Sequence, residues 1–154
     1  MFEIIYYKGK KDGHRDIVIT ISAINFHSEV DSYYLCIDPL FMPEHETPDK
    51  VEKCLRLMIK SWVATIDKME VDQTVYLPYD FSDQYVGVLG IKMKSDGEVY
   101  FSAGHTTRYC GYEISPSRDT ALNLKEDEFA NDGGEVVLSK DILINQLSSS
   151  LRVL

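Results

Sequence analysis

Asp80 and Asp83 flank Phe81-Ser82 inside the run Leu77-Pro78-Tyr79-Asp80-Phe81-Ser82-Asp83-Gln84-Tyr85. Paired carboxylates do acid–base work only where their surroundings push their proton affinities apart. Asx-turns and caps place Asp and Ser in such a segment equally well. The spacing therefore leaves structural, partner-binding and catalytic roles open. His105 stands in Gly104-His105-Thr106-Thr107-Arg108, with Cys110 five residues on. A Cys–His nucleophile pair needs the two groups to converge in space, with the base oriented by a third group. Nothing in this spacing demands that. Glu44-His45-Glu46, with Asp49 close behind, offers oxygen and imidazole ligands to a divalent ion. The same acids are favoured simply by standing ahead of a helix start. HExxH, EF-hand, CxxC, GxGxxG and P-loop spacings are all missing from the chain. No catalytic residue, metal or cofactor is assigned.

The charge balance narrows the partners. Sixteen basic and 25 acidic residues leave a net charge of −9 over 154 residues. That sign opposes a phosphate backbone and an anionic membrane surface, which disfavours direct nucleic-acid and membrane binding. The acids cluster: Glu29, Asp31, Asp38, Glu44, Glu46 and Asp49 span a stretch without Lys or Arg. Glu126, Asp127, Glu128, Asp132 and Glu135 form a second such stretch. Clusters of this kind steer a basic protein, and they equally serve as solvated loops that keep a chain dispersed. Ten tyrosines accompany them. Most are expected to be strand residues, with Tyr79 and Tyr85 nearest an exposed loop.

The elements that must position these residues read as α+β. A chain of 154 residues fits one domain, 1–154, and a core burying roughly 70% of its extended surface. Three cysteines, an odd count, and a start Met1-Phe2-Glu3-Ile4-Ile5 without a basic leader point to the cytoplasm. The expected strands begin with Glu3–Tyr7 and Ile17 towards Phe26, followed by a third over Tyr33–Ile37. Thr47, Pro48 and Asp49 open a helix over 48–69, with Val51, Leu55, Met58, Trp62, Ile66 and Met69 on one face. Short Thr74–Leu77 and longer Tyr85–Met93 strands follow, and Asp96-Gly97 turns the latter into Glu98–Ala103. A further strand is expected near Tyr109–Ile114. Residues 123–134 read as an acidic loop with room for one helical turn, before Val136-Val137-Leu138. Ser139 caps a last helix carrying Leu143, Leu147 and Leu151. The architecture expected is a mostly antiparallel sheet packed against the long helix, plus the C-terminal helix.

The run Leu77–Tyr85, with Gly104, Gly111-Tyr112 and Ser115-Pro116-Ser117, resembles a group of small acidic bacterial proteins. Some of these look like immunity proteins encoded beside polymorphic or contact-dependent growth inhibition toxins. The resemblance spans Leu77–Ser117, or 41 of 154 residues. Related sequences carry Gly-Trp-Ser where this chain has Gly104-His105-Thr106. It implies no catalytic residue. Together with the charge, it makes a cytosolic immunity protein the preferred expectation. Such a protein neutralises a cognate toxin, most simply a basic nuclease, by covering its active site. Glu44, Glu46, Asp80 and Asp83 are the candidate interface acids, with Tyr79 and Tyr85 as anchors. The alternatives are a small hydrolase built on His105 with Cys110 or Asp80/Asp83, and a ligand-binding or structural subunit. Monomer and homodimer both stay open.

Overall fold

The computed structural model describes residues 1–8, 15–40, 49–95 and 97–150. Alternating apolar residues organise its first sheet. Strand β1 (Phe2–Tyr6) pairs antiparallel with β2 (Arg15–Ile21), from Phe2 opposite Ile21 to Tyr6 opposite Ile17. Phe2, Ile4, Ile17, Ile19 and Ile21 are all buried. β2 stops short of Phe26. A 3-10 turn over Ser22–Ile24 ends on Asn25 in the left-handed region, at φ 50°. Asparagine tolerates that region because its short amide bonds locally. The chain then reverses into β3 (Phe26–Asp31), completing the order β1-β2-β3.

The third strand therefore precedes the place where it was expected. Tyr33–Cys36 is a single helical turn, α1, and not a strand. The Asp31 carboxylate accepts the Tyr33 amide at 2.7 Å and turns the chain out of β3. Tyr34 and Leu35 are both buried.

Helix α2 (Lys50–Asp67) buries the stripe read from its spacing, including Val51, Leu55, Met58, Trp62 and Ile66. Asp49 is the N-cap residue without a side-chain capping bond, and it pairs instead with Lys53 at 2.9 Å. Thr47 and Pro48 lie outside the described residues. Glu52 and Arg56 form the expected pair one turn apart, at 3.0 Å.

The second sheet is an antiparallel meander in the order β4-β5-β6-β7. β4 (Thr74–Phe81) runs four residues beyond the expected Leu77, straight through Pro78. It is an edge strand, where the missing proline N–H costs no ladder bond on the open side. β5 (Val86–Ser95) and β6 (Glu98–Thr106) form the hairpin announced by Asp96-Gly97, with Asp96 itself outside the described residues. Gly111–Glu113 is a 3-10 turn, not a strand. Its shape follows from the Glu113 carboxylate, which reaches back to the Cys110 amide at 2.9 Å. Glu126–Glu128 supplies the one helical turn expected in the acidic stretch. From Ala130 onward the chain is strand β7 (Ala130–Ser139), which takes in Asn131-Asp132-Gly133-Gly134. Helix α3 (Lys140–Ser150) buries Leu143 and Leu147, while Leu151 lies outside the described residues.

One apolar cluster joins both sheets and the two longer helices, with Phe2 meeting Phe101 edge to face at 6.4 Å. The α+β class holds, with the strands divided between two sheets. No described helix is long and apolar enough to cross a membrane. A buried carboxylate locks the connection ahead of α2 to the segment after β6. Asp38, 1% exposed, accepts Ser115 Oγ at 3.0 Å, the Ser117 amide at 2.9 Å and Ser117 Oγ at 2.6 Å. Replacing Asp38 with Ala leaves those donors unpaired inside the protein. Urea unfolding is expected to show a loss of about 2–3 kcal/mol with an unchanged m-value. A loss under about 0.5 kcal/mol would place Asp38 outside the stabilising network.

Candidate functional site

The site grows from an irregularity in β4. Opposite β5 the register slips between Pro78 and Asp80, so that Asp80 pairs with Gly87. Gly87 in turn pairs with His105, and His105 with Ala130. Cross-strand partners share a face, so Asp80, Gly87, His105 and Ala130 form one row across the sheet. Gly87 is required there. A Cβ on it would lie 2.7 Å from the Asp80 Cβ and 2.8 Å from the Tyr79 ring. The bulge thus seats two consecutive side chains, Tyr79 and Asp80, against one glycine.

Tyr79 is 6% exposed. Its hydroxyl donates to the Gly104 carbonyl at 3.4 Å and its ring meets Phe26 edge to face at 5.9 Å. The expectation of an exposed anchor at Tyr79 is therefore corrected: it is a support for the site's floor. Asp80 is only 8% exposed and accepts the Tyr85 hydroxyl at 3.2 Å. Burial raises its pKa from 3.8 to about 6, against the opposing Tyr85 hydrogen bond and with a further push from Asp31. Arg15 and the Phe81 amide pull the other way.

The turn after β4 presents the second aspartate. Ser82 N–H donates to the Tyr85 carbonyl at 3.1 Å, leaving Asp83 and Gln84 at the tip. Asp83 accepts the Tyr34 hydroxyl at 2.5 Å. Tyr34 meets Tyr33 at 5.3 Å and Tyr112 at 5.4 Å, both edge to face. Burial, then the bond to Asp83, raises the Tyr34 pKa.

These groups border a cleft of about 600 Å³. Its carboxylates are Glu29, Asp31, Asp80 and Asp83, and its tyrosines Tyr33, Tyr34, Tyr85 and Tyr112. Arg15 is the one basic residue lining it among the described residues. The fold thus places the candidate residues Asp80, Asp83 and Tyr85 at one cleft. Glu44 and Glu46 fall outside the described residues. Glu29 and Asp31 belonged to a recognised acidic stretch without being chosen. Tyr33, Tyr34, Tyr112 and Arg15 were missed. Asp31 just before two tyrosines was the available signal, since Asp readily turns a chain at a strand end.

A second, smaller cleft of about 270 Å³ lies on the other side of the Tyr85–Asp80 pair. There His105 Nδ1 and Asp132 Oδ2 are 2.6 Å apart, and the His105 ring meets Tyr85 at 5.8 Å. Asp132 stands two residues from Ala130, the ladder partner of His105, and so reaches it diagonally. Gly104 makes the approach of β7 possible, because a Cβ there would collide with the Ala130 carbonyl oxygen. The bond to Asp132 orients the imidazole as a base requires. Cys110 does not border this cleft. Among the described residues no three His, Cys, Asp or Glu side chains group to hold a metal ion.

Comparison with protein-family models, curated proteins and solved structures gives no match. The site must be read from its own chemistry.

Asp80 makes one measurable statement about that chemistry. Its folded pKa of about 6 exceeds the unfolded 3.8, so the native state holds the extra proton between those values. Stability from this group is present below about pH 4 and is lost as pH rises through 6, by on the order of 3 kcal/mol. Asp80→Asn is expected to flatten that slope in urea midpoints measured from pH 4 to 7. An unchanged slope in the variant would mean that another group carries it.

Proposed function

We propose that this chain is a binding protein for a basic protein partner, and specifically a cytosolic immunity protein that occludes a toxin nuclease. The observation carrying the reading is the large cleft, where, among the described residues, four carboxylates and four tyrosines converge around one arginine. Carboxylates there would pair with the Lys and Arg that a nuclease uses to hold phosphates. Tyrosines supply contact area at low entropic cost and a hydroxyl for hydrogen bonding. The resemblance over Leu77–Ser117 supports the same reading, since its Asp80–Tyr85 segment forms one wall of this cleft. Net charge of −9 favours fast, salt-sensitive association with a basic surface.

The test is co-expression and co-purification with the product of the adjacent gene. Protection of the host and a stable complex are expected; neither appearing would end the proposal. In such a complex, Tyr85→Ala should weaken binding by about tenfold or more, on the scale of an interface hot spot. The association rate should fall steeply between low and physiological salt.

The His105–Asp132 pair favours one second reading, a small acid–base enzyme working in the lesser cleft with Asp80 as the other titrating group. Hydrolysis by the isolated chain, abolished by His105→Gln, would support it. Full protection of the host by His105→Gln would instead leave the binding reading as sufficient.

A further inference from the structure

The cleft carries information about which cation it takes. Asp80 at its floor is nine-tenths buried, with the Tyr85 hydroxyl and the Phe81 amide among its donors. A carboxylate has about four lone-pair positions, so it retains acceptor capacity towards the cleft it lines. Above it, Tyr85 is 38% exposed, Tyr33 42% and Tyr112 70%, so aromatic surface borders the opening. A flat cation that both forks a carboxylate and stacks on a tyrosine ring suits this arrangement better than a compact, strongly hydrated ammonium.

The protein already keeps one such group in the cleft. Arg15 is the first residue of β2 and the ladder partner of Asp31. Its guanidinium acts electrostatically on both Asp80 and Tyr85. Among the described residues the lining nonetheless holds four carboxylates and one basic group.

Resting on the binding reading above, we infer that this cleft is a guanidinium seat that takes one arginine side chain of the partner, with Arg15 as its resident competitor. The partner's arginine enters between the tyrosines and forks the Asp80 and Asp83 carboxylates. Arg15 tempers the repulsion among the acids while the cleft is empty and gives way as the arginine enters. An arginine committed to phosphate binding in a nuclease would be withdrawn from that task.

The probe is N-acetyl-arginine amide, titrated into the full-length ¹⁵N-labelled chain at constant ionic strength, with N-acetyl-lysine amide as the comparison. Saturable amide shifts are expected at Ser82–Tyr85, Tyr33, Tyr34 and Tyr112, with about fivefold weaker binding of the lysine compound. Asp80→Asn, which keeps the side-chain shape, should weaken arginine binding by a similar factor. Arg15→Gln should strengthen it by removing the competitor. Equal binding of the two compounds overturns the inference, as do shifts spread along the acidic stretches. So does the lack of saturation by about 50 mM, the weak end of measurable affinity. Weaker binding by Arg15→Gln would overturn the resident's competing role. Failure here alongside a stable partner complex removes the arginine seat and leaves the binding reading standing. Arginine binding without any partner complex does the reverse.

Discussion

The slip in register that sets Tyr79 and Asp80 together against Gly87 is the constraint on which the site depends. A regular strand would send these two side chains to opposite faces of the sheet. The bulge sends both to the face that looks towards the first sheet, where Phe26 closes on Tyr79. Asp80 is then held where water is scarce, next to Tyr85, and its raised proton affinity follows from that burial. Glycine at 87 is the local condition, since any side chain there would take the same space. Pro78 suits the same stretch because β4 is an edge strand with no ladder to break on its open side.

Around this floor the two acidic stretches acquire different roles. Glu29 and Asp31, at the end of β3, join Asp80 and Asp83 on one side of the Tyr85–Asp80 pair. Asp132, at the start of β7, goes to the other side and orients His105. Glu128 from the same stretch pairs with Arg108. Asp38 is internal, spent on the serines of Ser115-Pro116-Ser117. The net charge of the chain is therefore partly structural and partly presented. Part of the presented share, Glu29, Asp31 and Asp83, lines the same cleft as Tyr33, Tyr34, Tyr85 and Tyr112.

Much of the fold was legible because it rests on local patterns. The α2 stripe from Val51 to Ile66 repeats every three or four residues, so its buried face could be read directly. The β5–β6 hairpin announced itself through Asp96-Gly97, and the α3 face through Leu143 and Leu147. Tyr33–Ile37 misled because aromatic and β-branched residues there suggest a strand. The turn made by Asp31 overrode that preference. β7 was hidden by Asn131-Asp132-Gly133-Gly134, a loop-like run that the ladder with β6 absorbs as an irregularity.

The amino-acid sequence by itself determined the α+β class, the long helix and the sign of the charge. These depend on composition and on spacing within one element. Only the tertiary structure decided that Tyr79 is buried, that His105 answers to Asp132 and not Cys110, and that Arg15, Glu29, Tyr34 and Tyr112 face one cleft with Asp83. Those residues come from separate elements, with Tyr34 and Asp83 49 positions apart. Their meeting is set by strand register and sheet-to-sheet packing, which no spacing within a single element encodes.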